Sequence, residues 1–485
     1  MTEAPDYWFV RLLFQRGLAL VYLIAFLVAV NQFRPLLGEH GLLPVPAFVK
    51  RAPLSQFPSL FFFWPRDTAF TAFAWLGVGL AGAALLGISE RYGWWWSALV
   101  WGLLWLIYLS FVNVGQTFYG FGWETMLLEA GFLAMFLGSA RTAPSAIPIW
   151  LLRWMEFRVM FGAGLIKLRG DPCWKRLTCL DDFYETQPMP NPLSWHFHWL
   201  PEWVHHGGVL FNHFVELAVP IAYFLPQPIA TVAGTLTILF QVILMVGGNL
   251  SFLNLLTIVL AIPTLDGSLI ARLLPVHAPA VTVAGRISQM VCVGLAVVVG
   301  ALSVPVVLNM FSSGQLMNYS YNPLHLVNTY GAFGAITKPR YEVTVEGTEA
   351  ASLGPNAEWR EYEFKGKPGD PMRRPPQIAP YHLRLDWLMW FAAMGQYSQY
   401  PWFVNLAAKL LEGDRAVLGL LRSNAFPSHP PHYVRATLYQ YRFTTAAERE
   451  RSGAWWKREV VRPWFPAVSL DTPGFRGLLR EEGWE

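Results

Sequence analysis

The chain has 485 residues, of which 54% are hydrophobic and only 14% are charged, and its formal net charge is +4. Ordinary soluble domains are roughly 25% charged, so this composition excludes a typical soluble globular protein. The small net charge is dispersed and forms no basic patch of the kind that binds nucleic acid, so we expect no nucleic-acid partner. We expect an integral membrane protein.

Long apolar runs follow one another from Trp8 to Phe311, separated by short turns. A helix needs about 20 predominantly apolar residues to cross a bilayer, and about nine segments approach that length. The predicted spans are Trp8–Val30, Thr68–Ile88, Trp94–Val112, Glu124–Ala140, Ile149–Leu168, Gly208–Leu225, Pro228–Gly247, Leu250–Leu265 and Val283–Phe311. The first lacks a small-residue cleavage site, so we expect it to stay as a span. Glu124–Ala140 and Leu250–Leu265 are short and are expected to be tilted or re-entrant.

Orientation follows from the loop charges, because Lys and Arg in short loops favour the cytosol. Many of the positive charges lie in the longer loops, which influence the orientation less. The charges on the side of the N-terminus then decide, so we expect a cytosolic N-terminus. An odd number of spans then places the C-terminal part outside the cytosol.

No apolar run of membrane length follows Lys338. Alternating residues predict strands at Tyr341–Thr348, Trp359–Lys365 and Tyr433–Phe443, and an amphipathic pattern predicts a helix near Phe403–Leu411. We therefore expect a polytopic α-helical membrane bundle (residues 1–311), a connector (312–337) and a β-rich α+β extramembrane domain (338–485).

Ionisable side chains inside spans are costly and suggest function. At 100° per residue, Arg153, Glu156 and Lys167 share one face of the fifth span. Arg153 and Glu156 are one turn apart and are predicted to pair. Lys167 either reaches the headgroups at its helix end, which we favour, or is a buried functional amine.

A second polar group lies in the sixth span, where His213 and Glu216 are three residues apart. This spacing suits a proton relay or half of a metal site, but a structural hydrogen bond is the favoured interpretation. If the protein is an enzyme, Lys167, Glu156, Arg153, His213 and Glu216 are its candidate catalytic residues.

Aromatic and arginine side chains of the C-terminal part suit a protein-binding face. The candidates are Trp387, Trp390, Arg373, Arg374 and Trp402. The alternative is that most of them form the core of their own domain.

Three cysteines are too few for a disulfide framework. Cys173 and Cys179 share one polar loop and can pair, although we expect free thiols, with Cys292 buried in an apolar run. The histidines at 196, 198, 205 and 206 lack zinc-site spacing, and we expect them in an aromatic loop at the membrane interface, with no metal. We expect no cofactor.

Several long motifs resemble the lipase maturation factor family, and they run in order along essentially the whole chain. They include LIKLRGDPCWKRLTCLDDFYETQ from Leu165, GWETMLLEAGF from Gly122, FNHFVELAVP from Phe211 and PPHYVRATLYQYRF from Pro430. The resemblance implies a membrane-anchored factor for the maturation of exported or secreted client proteins, lipases among them. It implies the endoplasmic reticulum membrane if the chain is eukaryotic; the composition looks bacterial, which would mean the inner membrane. Membrane lipid is the other expected partner.

A shorter segment is similar to the membrane domain of vitamin K-dependent carboxylases. Ala163-Gly164-Leu165-Ile166-Lys167-Leu168-Arg169-Gly170-Asp171 keeps a glycine, a lysine and an aspartate of that family's motif, with Ile166 in place of its first lysine. This resemblance implies, as an alternative to the maturation factor, a membrane enzyme that acts on a lipid-soluble substrate with Lys167 as its base.

Overall fold

The computed structural model describes residues 7–484. Within this range, six helices are long and apolar enough to cross a membrane, and a bent helix pair would make a seventh. The six are Tyr7–Leu37, Asp67–Leu85, Trp94–Val114, Glu202–Phe224, Ile229–Gly247 and Arg286–Phe311. The pair is Leu253–Thr264 with Gly267–Leu273, which meet at 114°.

The predicted count of nine spans is therefore not confirmed. Ala146–Arg169 is a helix of 24 residues, but its charged side chains keep it outside the apolar set. The predicted span Glu124–Ala140 is a helix only over Gly122–Ala134, which is 13 residues. Leu250–Leu265, expected to be tilted or re-entrant, contributes the first arm of the bent pair.

The first 311 residues contain fourteen α-helices within the described range. They are α1 (Tyr7–Leu37), α2 (Val45–Arg51), α3 (Asp67–Leu85), α4 (Trp94–Val114), α5 (Gly122–Ala134), α6 (Ala146–Arg169), α7 (Pro172–Arg176), α8 (Cys179–Thr186), α9 (Ser194–His198), α10 (Glu202–His213), α11 (Ile229–Gly247), α12 (Leu253–Ala261), α13 (Gly267–Leu273) and α14 (Arg286–Phe311). After α10 the chain continues through a π-helical turn, Phe214–Ala218, and a 3₁₀ segment, Val219–Phe224.

Helix α1 occupies the middle of the bundle. Its Tyr22 and Phe26 are fully buried and pack edge-to-face on Tyr108 of α4. Gly77 of α3 lies against Phe26, where a Cβ atom would come within 2.4 Å of the ring. Only a residue without a side chain allows this approach, so α3 packs tightly on α1.

The C-terminal part is built on one antiparallel sheet of strand order β2-β1-β3-β4. Its strands are β1 (Arg340–Thr348), β2 (Arg360–Glu361), β3 (Tyr433–Phe443) and β4 (Trp456–Val468). Its helices are α15 (Arg384–Ala392), α16 (Pro401–Leu411), α17 (Arg415–Leu418), α18 (Ala446–Ser452) and α19 (Pro473–Glu482). The structure thus has a membrane helical region followed by an α+β part, as predicted.

The α+β part lies at the end of the bundle opposite the N-terminus. Trp8, near the start of α1, donates to the carbonyl oxygen of Ala140, whereas Gln32, near its end, donates to that of His382 at 2.7 Å. At 1.5 Å per residue these positions are about 36 Å apart along α1. A single hydrophobic core continues from bundle residues such as Tyr108 to C-terminal residues such as Leu388. The two parts are therefore packed together as one body.

Candidate functional site: the boundary cavity

A cavity of about 390 Å³ lies where the bundle meets the α+β part, and we call it the boundary cavity. Its bundle wall comes from α6, α11 and α12, and its opposite wall from α15 and the 331–335 segment. Side chains that define it are Met160, Ala163, Lys167, Glu216, Gln241, Asn254, Trp387 and Trp390. It therefore contains members of both predicted site sets, the charged residues of the bundle and the tryptophans of the C-terminal part.

Lys167 is buried, with 4% of its surface exposed, and its amine lies 2.5 Å from the carboxylate of Glu216. It also donates to Asn212 at 3.0 Å and lies 4.9 Å from the ring centroid of Trp174. The favoured expectation that Lys167 reaches the headgroups was wrong. Asn212 of α10 and Glu216 of the following π-helical turn hold the amine inside, because a buried ammonium needs an anionic partner and hydrogen-bond acceptors.

Two amides continue the polar wall of the cavity. Asn254 of α12 donates to Gln241 of α11 at 2.7 Å, and both side chains are at most 5% exposed. Gln241 in turn donates to the Met160 sulfur at 3.6 Å. Such polar contacts between helices stabilise their packing.

The wall formed by the α+β part is aromatic. Trp387 packs against Phe121 and Trp123 of the bundle, with ring centroids 5.7 Å and 5.0 Å away. Trp390 is half-buried and donates its indole N–H to the carbonyl oxygen of Thr186. These rings cover the side of the cavity that the C-terminal part forms.

A buried ion pair fastens this aromatic wall to the bundle. Arg384 of α15 lies 2.8 Å from the Glu124 carboxylate of α5, and neither side chain is exposed. His382 lies 3.7 Å from the same carboxylate. Burial, with the nearby Arg384 guanidinium, lowers the pKa of His382 to about 4, so the imidazole is neutral near pH 7.

A second buried cluster fastens strand β1 to the loop after α8. Arg340 donates to the carbonyl oxygens of Gln187 at 2.5 Å and Pro188 at 3.0 Å, and pairs with Glu342 at 2.5 Å. Lys367 lies 2.9 Å from Glu342 on the other side. Pro188 lines the boundary cavity, so this cluster positions part of its rim.

Sequence reasoning did not single out Glu124, Arg340, Glu342, Lys367, His382 or Arg384. The one available signal was that charged residues flank apolar or strand-like runs in the C-terminal part. Their partners lie far away along the chain, so spacing carried no information about the pairing.

The remaining predicted catalytic residues lie outside the cavity lining. Arg153 donates to the carbonyl oxygens of Pro263 at 2.8 Å and Tyr223 at 3.1 Å, so its predicted pairing with Glu156 was wrong. Both Glu156 carboxylate oxygens are buried without a hydrogen-bond partner among the described residues. His213 contacts the carbonyl oxygen of Trp174 instead of Glu216. The structure thus divides the predicted set, and only Lys167 and Glu216 line the cavity.

The predicted client-binding residues do not form one surface, because some are buried in the core and others are not. Trp387 and Trp402 are 3% and 2% exposed, so both belong to the core. Arg373 donates to the carbonyl oxygens of Phe364 and Lys365, and Arg374 is exposed, with its guanidinium 5.2 Å from the Trp455 ring. Trp390 remains as the half-buried tryptophan that reaches three neighbouring cavities.

The loop between α6 and α10 corrects one further expectation. Cys173 and Cys179 form a disulfide, contrary to the expected free thiols, while Cys292 is free and buried as predicted. Trp195 and Trp199 both donate to the carbonyl oxygen of Thr444. The aromatic loop therefore packs against the sheet.

One close pair in this loop is not an ion pair. His198 and Glu185 lie 3.8 Å apart. Burial lowers the pKa of His198 to about 4, and burial raises the pKa of Glu185 to about 7. Between these values both groups are neutral.

Two family models match the chain over most of its length. The lipase maturation factor transmembrane domain matches residues 9–272, and the lipase maturation factor C-terminal domain matches residues 326–466. Lipase maturation factor 1 of Bos taurus is 42% identical over 99% of this chain and 92% of its own length. The chain belongs to the lipase maturation factor family.

Other members of the family are also similar over almost the whole chain. Human lipase maturation factor 1 is 42% identical over 99% of this chain and 90% of its own length. Human lipase maturation factor 2 is 31% identical over 98% of this chain and 84% of its own length. No solved structure matches the chain. The resemblance to vitamin K-dependent carboxylases finds no support in these matches.

Proposed function

We propose that this chain is a membrane-anchored maturation factor for lipases. The observation that carries the proposal is the 42% identity to lipase maturation factor 1 over 99% of the chain. This similarity includes the membrane region and the α+β part, which the structure joins through the buried Glu124–Arg384 pair. The similarity therefore covers both parts of the chain.

We further propose that the α+β part faces the compartment in which exported proteins fold. It lies at the end of the bundle opposite the N-terminal end of α1. With a cytosolic N-terminus, this is the lumen of the endoplasmic reticulum in a eukaryotic cell or the periplasmic side of a bacterial inner membrane. The Cys173–Cys179 disulfide supports this placement, because disulfides persist in oxidising compartments.

The client would bind in a groove between the C-terminal end of α15 and the face of the sheet formed by β1, β3 and β4. This groove, the client groove, has a volume of about 450 Å³ and is lined by Tyr341, Trp390, Met394, Val461 and Arg462 among others. A neighbouring cavity of about 260 Å³ shares Trp390 and Met394 with it. Met394 and Val461 are each 45% exposed, so the groove offers apolar surface to a partner.

The chemistry of the groove suits a folding intermediate. A half-buried tryptophan flanked by apolar side chains is typical of the centre of a protein interface, and an arginine at the rim is typical of its edge. A partly folded client exposes apolar segments that its native state later buries. Contact with Trp390, Met394 and Val461 would shield such a segment until the client assembles.

The experiment is co-purification of a secreted lipase with the full-length protein from cells that express both. Met394→Asp and Val461→Asp place a charge in the client groove and should reduce co-purified lipase about tenfold. Leu353→Asp is the matched control, because Leu353 is 49% exposed and lies outside the groove. Equal capture by all three variants would show that the groove is not the client site.

A further inference from the structure

We infer that the boundary cavity binds a neutral single-chain lipid whose polar end carries hydroxyl groups, such as a monoacylglycerol. This cavity is distinct from the client groove, although Trp390 lines both, and the inference does not depend on the proposed function. The argument rests on the walls of the cavity, on the charge balance of its polar side and on where it opens.

The walls are suited to an apolar chain. Met160 and Ala163 of α6 face the cavity together with Leu244 of α11 and Leu253 of α12. The volume of about 390 Å³ lies within the range of small-molecule sites, which are mostly apolar with a few placed polar groups. A ligand here gains by removing its chain from water, in proportion to the apolar area that it buries.

The polar side of the cavity carries charges that cancel. The Lys167 amine and the Glu216 carboxylate are 2.5 Å apart, so together they contribute no net charge. A ligand with a charged end would add an unpaired charge to this buried setting, and such charges are strongly unfavourable. The polar end of the ligand must therefore be neutral.

Two amides in the lining, Asn254 and Gln241, can each form a further hydrogen bond with a ligand. The side-chain oxygen of Asn254 is buried and has no hydrogen-bond partner among residues 7–484. The Gln241 amide donates to a thioether sulfur at 3.6 Å, which is a weak acceptor. A group that both donates and accepts complements the two amides, and a hydroxyl does both.

The cavity reaches the surface at the level where the spans end. Its lining residues Met317 and Phe391 are 45% and 37% exposed. Leu244, three residues before the end of α11, is half-buried beside the exposed apolar side chains of Val242 and Ile243. A lipid of the adjacent leaflet thus has a short path into the site.

The test uses the purified full-length protein in nanodiscs with a monoacylglycerol that carries a photoreactive diazirine in its chain. Labelled peptides are identified by mass spectrometry, and unlabelled monoacylglycerol, fatty acid and phosphatidylcholine are the competitors. The proposal predicts labelling of Met160, Leu244 or Leu253 that monoacylglycerol displaces and the other two lipids do not. Labelling spread over the outer faces of the spans would overturn it, and so would equal displacement by the fatty acid.

Variants separate the cavity from the general membrane surface. Ala163→Phe fills the cavity and should reduce labelling about tenfold, whereas Ala301→Phe, at an exposed position of α14, should leave it unchanged. The double variant Gln241→Leu/Asn254→Leu should also lose labelling. Its control is Gln15→Leu, a buried amide outside the cavity. Undiminished labelling in either cavity variant, with the protein still monodisperse, would contradict the proposal.

Discussion

Arg384 and Glu124 form an ion pair at 2.8 Å between the α+β part and the bundle, and neither side chain is exposed. Arg384 also donates to the carbonyl oxygen of Phe118 at 2.7 Å, and its guanidinium lies 3.4 Å from the Tyr119 ring centroid. Because all of these partners belong to the bundle, the α+β part is held in one position relative to the membrane. This fixed position also keeps the client groove and the boundary cavity at a constant distance from each other.

Arg384→Met should destabilise the protein by about 3–5 kcal/mol, because it leaves the Glu124 carboxylate buried without its cation. The measurement is thermal unfolding in detergent. Arg34→Met is the matched control, because the Arg34 side chain is 60% exposed in its pair with Asp67, and exposed pairs contribute roughly 0–1 kcal/mol. Equal effects of the two substitutions would show that the buried pair does not join the two parts.

His382 should make the junction sensitive to acid. Its pKa is lowered to about 4 by burial and by Arg384, whereas an unfolded histidine titrates near 6.5. The unfolded state therefore binds more protons between these values, so stability is complete above about pH 6.5 and falls as the pH drops towards 4. Acidification from above pH 6.5 to below pH 4 should therefore lower the free energy of unfolding by about 3 kcal/mol.

His382→Phe should remove this part of the pH dependence and keep the aromatic packing on Phe121 and Trp123. Unfolding temperatures measured from pH 4 to 7 should therefore fall less steeply on acidification in the variant. Identical slopes in the variant and the wild type would contradict the assignment.

Lys167 and Glu216 should behave as a coupled pair. Lys167→Met alone leaves the Glu216 carboxylate buried without its cation and should destabilise the protein by about 3–5 kcal/mol. The double variant Lys167→Met/Glu216→Gln carries no charge, and its new amide can bond to Asn212, so stability and lipase maturation should return. A catalytic base at position 167 makes the opposite prediction, because the double variant would fold without regaining function.

The disulfide predicts how many thiols react. After denaturation without reductant, one of the three cysteines should be alkylated, and all three should be alkylated after reduction. The double variant Cys173→Ser/Cys179→Ser is the control, with one reactive thiol in both conditions. Alkylation of three thiols before reduction would contradict the disulfide.

The sequence predicted the elements whose signals are local. Long apolar runs with few charges identified α1, α4, α11 and α14, because spanning a bilayer requires such a run. Alternation identified β1 and β3, and the predicted bounds of β3 agree with the structure. Strand β4 was missed because Pro463 and Pro466 interrupt it. Prolines are tolerated there because β4 is an edge strand with no neighbour on one side.

The arrangement of the site depended on contacts between distant segments. Helix periodicity placed Arg153, Glu156 and Lys167 on one face, but it gave no information about which other helices meet that face. The carbonyl oxygen of Pro263 binds Arg153, and Glu216 binds Lys167. Likewise, Trp387 and Trp402 fitted both a binding face and a core, and only the packing of the α+β part on the bundle distinguishes the two.

The most direct test of the proposed function is restoration of lipase maturation. The chain is expressed in human cells whose own lipase maturation factor 1 has been deleted, together with a secreted lipase that depends on it. The activity of the lipase in the medium is then measured per unit of lipase protein. We predict activity well above that of cells without the chain. Activity equal to those cells, with the chain present in the endoplasmic reticulum membrane, would contradict the account.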